Sequence, residues 1–132
     1  MTRAIPADAY RPIDGKNFAH VVTLMPDGSP QTTPVWVDRE NGTVLINTEK
    51  GRVKCDNLRR DPRIALSILD PENPYASLQL RGKAELVEDG ATEHIHRLAR
   101  KYLGRDYPYL TPDTERVTVR ILPDNVNFAV QG

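Results

Sequence analysis

The chain has 132 residues, of which 18 are basic and 18 are acidic, so its formal net charge is zero. A chain of this length is typical of one domain, which we predict to span residues 1–132. Zero net charge argues against a nucleic-acid partner, because nucleic-acid-binding domains normally carry a clear positive excess. No apolar stretch approaches the ~20 residues that a membrane-spanning helix needs, so no membrane span is expected.

Hydrophobic residues make up 39% of the chain, a low share for a globular protein. This deficit suggests that a ligand or a second subunit completes part of the core. Cys55 is the single cysteine, which excludes an intrachain disulfide. Residues 1–10 lack the hydrophobic run of a signal peptide, and together these features favour a cytoplasmic, reducing location.

Short runs of β-favouring residues separated by turn signals predict about seven strands, mostly antiparallel. Two main helices are predicted: a short one that ends at Asp61 and Pro62, and a longer one over residues 91–103 with apolar residues at helical spacing. The short distances between strands along the chain favour a small barrel over a parallel sheet. The predicted strands cover residues 18–25, 31–37, 43–47, 64–69, 75–87, 116–122 and 126–130.

Proline and glycine residues indicate where these predicted elements end or become irregular. Residues 1–17 are rich in proline and polar residues, so we expect an N-terminal arm with little regular structure. Pro34 within the second predicted strand indicates an edge strand or a bulge. Asn41 and Gly42 are typical of a tight β-hairpin, and Gly104 predicts the end of the second helix.

The most informative segment is the entrance of the short helix. Arg52 and Lys54 lie in its first turn, which is already electropositive and carries unpaired N–H groups, so cations are unfavourable there unless an anion lies among them. Thr48 ends the preceding strand, and Asn57 follows Lys54 by three residues on the same helix face. A strand, a threonine, a short loop and a cationic first turn are typical of a phosphate or carboxylate site. The alternative is a solvated basic helix paired with nearby acidic residues.

Other candidate residues are less specific. Trp36 and Tyr75 are each read either as a core or interface anchor or as one wall of a flat aromatic pocket. His94 and His96 are two residues apart on a helix and do not share a face, so we predict no metal site. Cys55 is more often a packing residue than a nucleophile in such a setting. We assign no catalytic acid or base.

Residues 30–37, 45–48 and 52–63 resemble the pyridoxamine 5′-phosphate oxidase-like split β-barrel superfamily, and within it the small deazaflavin-dependent reductases that use coenzyme F420. The pattern Lys-x-x-Asn-Leu-x-x-Asp-Pro-Arg at residues 54–63 is the most specific part, and Arg-Gly-Lys-Ala at residues 81–84 also fits. The resemblance covers roughly residues 18–130. It implies a mainly β, FMN-binding type of split β-barrel with accessory helices.

The resemblance also implies a function. Such proteins are homodimers with two cofactor sites at the subunit interface, and they transfer a hydride from reduced deazaflavin to a small organic acceptor. The polar and basic residues of the motif would hold the phosphate end, the residues around the tryptophan would border the ring, and the tyrosine would approach from the partner subunit. By motif position, the implied cofactor-binding residues are Pro34, Val35, Trp36, Asn47, Thr48, Arg52, Val53, Lys54, Asn57 and Tyr75.

Two alternatives stay open at this point. One is an FMN-dependent oxidoreductase of the same fold, because FMN and F420 both carry a phosphate and a tricyclic ring. The other is a carrier that binds F420 or flavin without turnover. Vitamin B6 oxidation is not expected, because the additional basic motifs of that activity are missing. The substrate is expected to be a small molecule. We expect the walls of its pocket to come from the second strand and from residues 107–109.

Overall fold

The computed structural model describes residues 2–130. Seven antiparallel strands form one sheet, and three α-helices and a short 3-10 helix at Ala7–Ala9 accompany it. The strands are β1 (Ala19–Leu24), β2 (Pro30–Val35), β3 (Asp38–Glu40), β4 (Thr43–Glu49), β5 (Arg63–Asp70), β6 (Asn73–Val87) and β7 (Arg116–Val130). The helices are α1 (Tyr10–Asp14), α2 (Val53–Arg60) and α3 (Ala91–Leu103).

The strand order is β2-β1-β5-β6-β7-β4-β3, with the two longest strands near the centre. Within the described residues β2 and β3 each pair on one side only, so the sheet does not close into a complete barrel. The predicted mainly β fold of about seven antiparallel strands is thereby confirmed. Pro34 lies on an edge strand, as its missing N–H requires.

Strand alternation places one face of the sheet against the core. Along β5 the buried residues are Ile64, Leu66 and Ile68, and they face Leu78 and Leu80 of the neighbouring strand β6. The intervening residues of β5 point to the other face. This alternation fixes the register, because a slip of one residue would turn the apolar set outward.

The N-terminal segment differs from its prediction as an irregular arm. It forms the 3-10 helix and α1, and Ile5, Ala9 and Ile13 are buried in the main core. Ala9 and Ile13 are four positions apart at consecutive helical turns, so they share one face, and Ile5 joins them from the extended segment before the 3-10 helix. The polar residues and prolines around them conceal that spacing in the sequence.

The last strand also differs from its prediction. Instead of two strands, β7 runs without interruption from Arg116 to Val130, with a register shift beside Gly82 of β6. A Cβ atom at Gly82 would lie 2.7 Å from the Cα of Pro123 and would also collide with the carbonyl oxygen of Leu122. Gly82 therefore leaves room for a bulge that carries Pro123 through the strand.

The predicted turns and helix ends are confirmed. Asn41 (φ 54°) and Gly42 connect β3 to β4, and Gly104 (φ 75°) follows the last residue of α3. The second strand is shorter than predicted, because regular pairing stops at Val35 and residues 38–40 form β3 instead. No helix in the described part of the chain is long and apolar enough to cross a membrane.

Candidate functional site

A cleft of about 230 Å³ opens where β2 ends, between β4, α3 and the loop that precedes β7. Pro34, Val35 and Trp36 contribute one wall of this cleft. Asn47 and Arg116 are its polar residues. The predicted ring-binding residues of the second strand and Asn47 are therefore brought together, although they are separated along the chain. The remaining lining residues are Phe18, Ile95, Leu98 and Tyr107.

The aromatic side of the cleft is held in place from behind. The indole of Trp36 stacks on the ring of Tyr102 with centroids 5.2 Å apart, and Tyr107 meets Trp36 edge-on at 6.2 Å. The Tyr102 hydroxyl donates to the Asn17 carbonyl (2.6 Å) and accepts from the Val37 N–H (3.1 Å). Burial raises the pKa of Tyr102 to about 12, so this hydroxyl stays neutral. The cleft thus has a flat, supported aromatic wall.

Arg116 is the polar counterpart of that wall. It begins β7 opposite Glu49 of β4, and its side chain is only 7% exposed. Its Nε donates to Asn47 Oδ1 over 2.8 Å, and its guanidinium carbon lies 5.3 Å from the ring centroid of Tyr107. Burial lowers the pKa of Arg116, which means that its charge is held where water is scarce.

Two further cations lie beside Arg116. Burial and the nearby charges of Arg52 and Arg116 lower the pKa of Lys54. Glu49 is the one carboxylate within 4 Å of this cluster among the described residues, at 3.6 Å from Arg52 and from Arg116. The Lys54 ammonium has no hydrogen bond or ion pair within residues 2–130. We call Arg52, Lys54 and Arg116 the cation cluster; its positive charge exceeds the one carboxylate that balances it.

The start of α2 adds to this positive potential. Arg52 is the N-cap residue with extended backbone angles, and no side chain of the described residues caps the helix there. The free N–H groups of the first turn therefore add to the charge of the cation cluster. Lys50 lies outside the cluster, because Glu88 and Glu115 pair with it.

Asn57 of α2 is buried and has partners within the protein. It is 2% exposed, and its Nδ2 donates to Thr23 Oγ1 (3.0 Å) and contacts the Met25 sulfur at 3.4 Å. Its Oδ1 accepts from Arg60 over 2.8 Å. These contacts attach α2 to β1, and the cofactor contact of Asn57 stays a prediction.

Three other predicted residues also lie away from the cleft. Thr48 is buried, and strand alternation places it on the face of β4 opposite Asn47. Val53 is exposed at the first position of α2. Tyr75 is 65% exposed near the start of β6. Tyr75 was predicted to approach the cofactor from the partner subunit, and that contact stays a prediction.

Five residues that line the cleft were not among the predicted cofactor contacts: Phe18, Ile95, Leu98, Tyr107 and Arg116. Tyr107 was expected only as a wall of the substrate pocket. Arg116 was predicted only to begin the strand at residues 116–122. Phe18 was predicted only to belong to the strand at residues 18–25. The sequence does carry a signal for Arg116, because Val117, Val119 and Ile121 alternate with polar residues. Since those apolar residues are buried, Arg116 must face the other side of the sheet, together with Thr118.

The open antiparallel sheet, with an aromatic cleft and a cation cluster at one helix start, defines a split β-barrel of the flavin-binding type. The chain belongs to the pyridoxamine 5′-phosphate oxidase family, which it matches over residues 7–129. The predicted family resemblance is thereby confirmed.

Solved structures of other proteins agree with this assignment. An F420 reductase is 26% identical, with 93% of this chain and 98% of that chain covered and a TM-score of 0.82. A conserved hypothetical protein from Mycobacterium tuberculosis is 25% identical, with 98% and 86% covered and a TM-score of 0.77. A putative pyridoxamine 5′-phosphate oxidase from Listeria innocua shares the fold at 19% identity, with 84% and 86% covered and a TM-score of 0.65. No curated protein matches the chain at a significant level.

Proposed function

We propose that this protein is an F420-dependent oxidoreductase that reduces a small organic acceptor. The observation that carries the proposal is the cation cluster, in which Lys54 lies beside Arg52 and Arg116 without an anionic partner of its own in the described chain. The similarity to an F420 reductase over nearly the whole of both chains supports the same cofactor. The cluster would hold the phosphate-bearing tail, and the aromatic cleft would hold the ring system or the acceptor above it.

The chemistry of the side chains fits this ligand. Arginine offers a planar fork that matches the oxygens of a phosphate, and lysine offers a point charge. Burial, and then repulsion by Arg52 and Arg116, lowers the pKa of Lys54, and a phosphate among the three cations would oppose both effects. The supported face of Trp36 suits a flat tricyclic ring. The residues therefore fit both ends of a deazaflavin.

When bound, the reduced deazaflavin supplies a hydride, and the protein supplies position and a dry environment. The cation cluster fixes the tail. Trp36, Phe18 and Tyr107 line the cleft, where they would limit the entry of water and would orient a flat ring bound there. Tyr107 is held by its own N–H, which donates to His96 Nδ1 over 3.1 Å. The substrate remains a small molecule of undefined structure, and we assign no proton donor.

We also propose a homodimer in which the second subunit completes the site. Phe18, Leu69 and Tyr75 are large apolar or aromatic side chains that are at least half exposed. The register of β1, β5 and β6 brings them to the same end of the sheet. Such a patch on a chain with few hydrophobic residues is typical of an interface. Light scattering on the purified protein measures the mass, and a monomer at micromolar concentration would contradict the dimer.

The test of the cofactor is a paired fluorescence titration with oxidised F420 and with FMN. We expect saturable binding of F420, followed by oxidation of its reduced form by at least one member of an acceptor screen. Preferential FMN binding, with yellow protein that releases flavin on heating, would instead support the FMN-dependent alternative. Binding of F420 without turnover by any acceptor would support the carrier, and no binding of either would overturn the proposal. A cytoplasmic location stays a prediction.

A further inference from the structure

Behind the cleft, a buried chain of polar side chains runs from β3 to Arg116. His94 of α3 is 4% exposed, and its Nε2 lies 2.8 Å from Asp38 Oδ1. Its other ring nitrogen, Nδ1, lies 3.1 Å from Asn47 Nδ2. Asn47 Oδ1 in turn accepts the 2.8 Å hydrogen bond from Arg116 Nε. We call Asp38, His94, Asn47 and Arg116 the buried polar chain.

The groups at the two ends of the buried polar chain, Asp38 and Arg116, determine the direction of each hydrogen bond within it. Hydrogen bonds from His94 and Arg97 keep the pKa of Asp38 low against the opposing effect of burial, so the carboxylate can only accept. His94 therefore donates from Nε2. Its Nδ1 faces the nitrogen of the Asn47 amide and accepts from it, because the Ala91 carbonyl and the Arg116 Nε–H fix the amide in that orientation. The second N–H of the Asn47 amide donates to the Ala91 carbonyl over 2.9 Å.

The orientation of the Asn47 amide follows from its other two partners. The Ala91 carbonyl can only accept and the Arg116 Nε–H can only donate, so the amide turns its nitrogen to Ala91 and its oxygen to Arg116. A flipped amide would place its oxygen against the Ala91 carbonyl and its N–H groups against Arg116 Nε, which would lose three hydrogen bonds in a buried place. The Arg116 guanidinium is thus held at Nε by Asn47, while its Nη1 lies 3.6 Å from Glu49 Oε2.

We propose that Asp38, His94 and Asn47 are positioning residues that fix the Arg116 guanidinium for the anionic tail of the cofactor. This inference rests on the proposed function, because it names the device that orders one member of the cation cluster. Within the described residues, the ring nitrogens of His94 have Asp38, Asn47 and Thr118 (3.3 Å from Nδ1) as hydrogen-bond partners, and none of these belongs to the cation cluster. His94 acts through the Asn47 amide. Asp38 acts only by keeping the ring proton of His94 on Nε2, and an asparagine at position 94 makes that role unnecessary.

Two substitutions of His94 distinguish a role in positioning the Arg116 guanidinium from a role in attaching α3 to β3 through Asp38. His94→Asn keeps an oxygen near the place of Nδ1 and can still accept from Asn47. His94→Gln keeps an amide near the place of Nε2 and can still donate to Asp38, but it leaves Asn47 without its acceptor. We expect His94→Asn to bind oxidised F420 like the unsubstituted protein and His94→Gln to bind it about tenfold more weakly, as for the loss of one charge-assisted contact. Arg97→Ala, which removes only the exposed partner of Asp38, is the matched control and should change nothing.

A second readout is independent of cofactor binding. In the ligand-free protein, NMR should show a slowly exchanging Nε–H for Arg116. It should also show a His94 ring that carries its proton on Nε2 and none on Nδ1. The Arg116 Nε–H should exchange faster in His94→Gln and remain slow in His94→Asn. These signals are measured without F420, so they test the positioning even if the titration overturns the proposed cofactor.

The inference has clear contrary outcomes. Equal affinity and equal Nε–H exchange in the two His94 variants would overturn it. Weaker binding in His94→Asn than in His94→Gln would show that the link to Asp38 alone matters, which also overturns it. If either variant fails to fold, the ring of the unsubstituted protein decides: a His94 protonated at Nδ1 at neutral pH contradicts the proposed hydrogen-bond directions.

Discussion

The indole of Trp36 lies nearly parallel to the ring of Tyr102, with 7° between their planes and 5.2 Å between their centroids. The two residues belong to different elements, the segment after β2 and helix α3. The Tyr102 hydroxyl forms hydrogen bonds with the Asn17 carbonyl and with the Val37 N–H. The cleft wall is therefore fixed by a residue that does not line the cleft, and its rigidity depends on one hydroxyl group.

Tyr102→Phe tests that dependence. The phenyl ring keeps the stack on Trp36, but the N–H of buried Val37 loses its partner. We expect the free energy of unfolding to fall by about 1–3 kcal/mol, the cost of an unsatisfied buried donor. Urea unfolding followed by tryptophan fluorescence measures it. The control Tyr109→Phe changes an exposed side chain and should stay within about 0.5 kcal/mol; equal effects of the two substitutions would contradict this role.

Asn57→Ala tests the structural role of Asn57 against its motif-derived cofactor contact. The substitution leaves Thr23 and Arg60 without their amide partner, so stability should fall by about 1–3 kcal/mol. F420 affinity should not change once the protein is kept below its unfolding range. Chemical unfolding and an F420 titration on the same sample give both values. A stable variant with weak F420 binding would restore the cofactor contact and remove the structural one.

The lowered pKa of Lys54 predicts a specific pH dependence of stability. Between that lowered pKa and the ordinary value of 10.5, the unfolded chain binds more protons than the folded one. The free energy of unfolding therefore rises with pH across this window, relative to a variant that lacks the titrating group. Urea unfolding of the unsubstituted protein and of Lys54→Met, from neutral pH to pH 10.5, measures the difference. Parallel profiles would contradict the assignment, and bound F420 should reduce the effect because an anion raises the pKa of Lys54.

Gly82→Ala tests the bulge that keeps β7 continuous. The added methyl group would collide with the backbone of Leu122 and Pro123, which cannot move without breaking the register. We expect a loss of about 1–3 kcal/mol in the free energy of unfolding, typical of overpacking. Gln79→Ala, an exposed position on the same strand, is the matched control. If the two variants are equally stable, the close approach at Gly82 has no energetic importance.

Local signals predicted much of the fold from the sequence. The turn at Asn41 and Gly42, the end of α3 at Gly104 and the edge position of Pro34 each follow from the backbone preferences of a single residue. The N-terminal helices and the continuity of β7 did not follow, because they depend on contacts with distant parts of the chain. Pro123 reads as a strand break until Gly82 is placed opposite it.

The candidate site shows the same division. Pro34, Val35, Trp36 and Asn47 were predicted by resemblance, and the structure brings them to one cleft. Arg116 was missed because its role depends on the pairing of β4 with β7, which joins residues about 70 positions apart. The contact of the Asn57 amide with β1 was not predicted, because helical spacing relative to Lys54 does not reveal what the amide meets. Periodicity indicates the face of an element, whereas tertiary pairing determines what that face meets.

The most direct test of the account compares F420 binding by Lys54→Ala and Lys50→Ala. Lys54 belongs to the cation cluster, whereas Lys50, four positions earlier, is paired with Glu88 and Glu115. Loss of one charge-assisted contact of about 1.5–3 kcal/mol should weaken binding by roughly tenfold to a hundredfold in Lys54→Ala. Lys50→Ala should bind like the unsubstituted protein. Unchanged affinity in Lys54→Ala, or an equal loss in both variants, would contradict a tail-binding site at the start of α2.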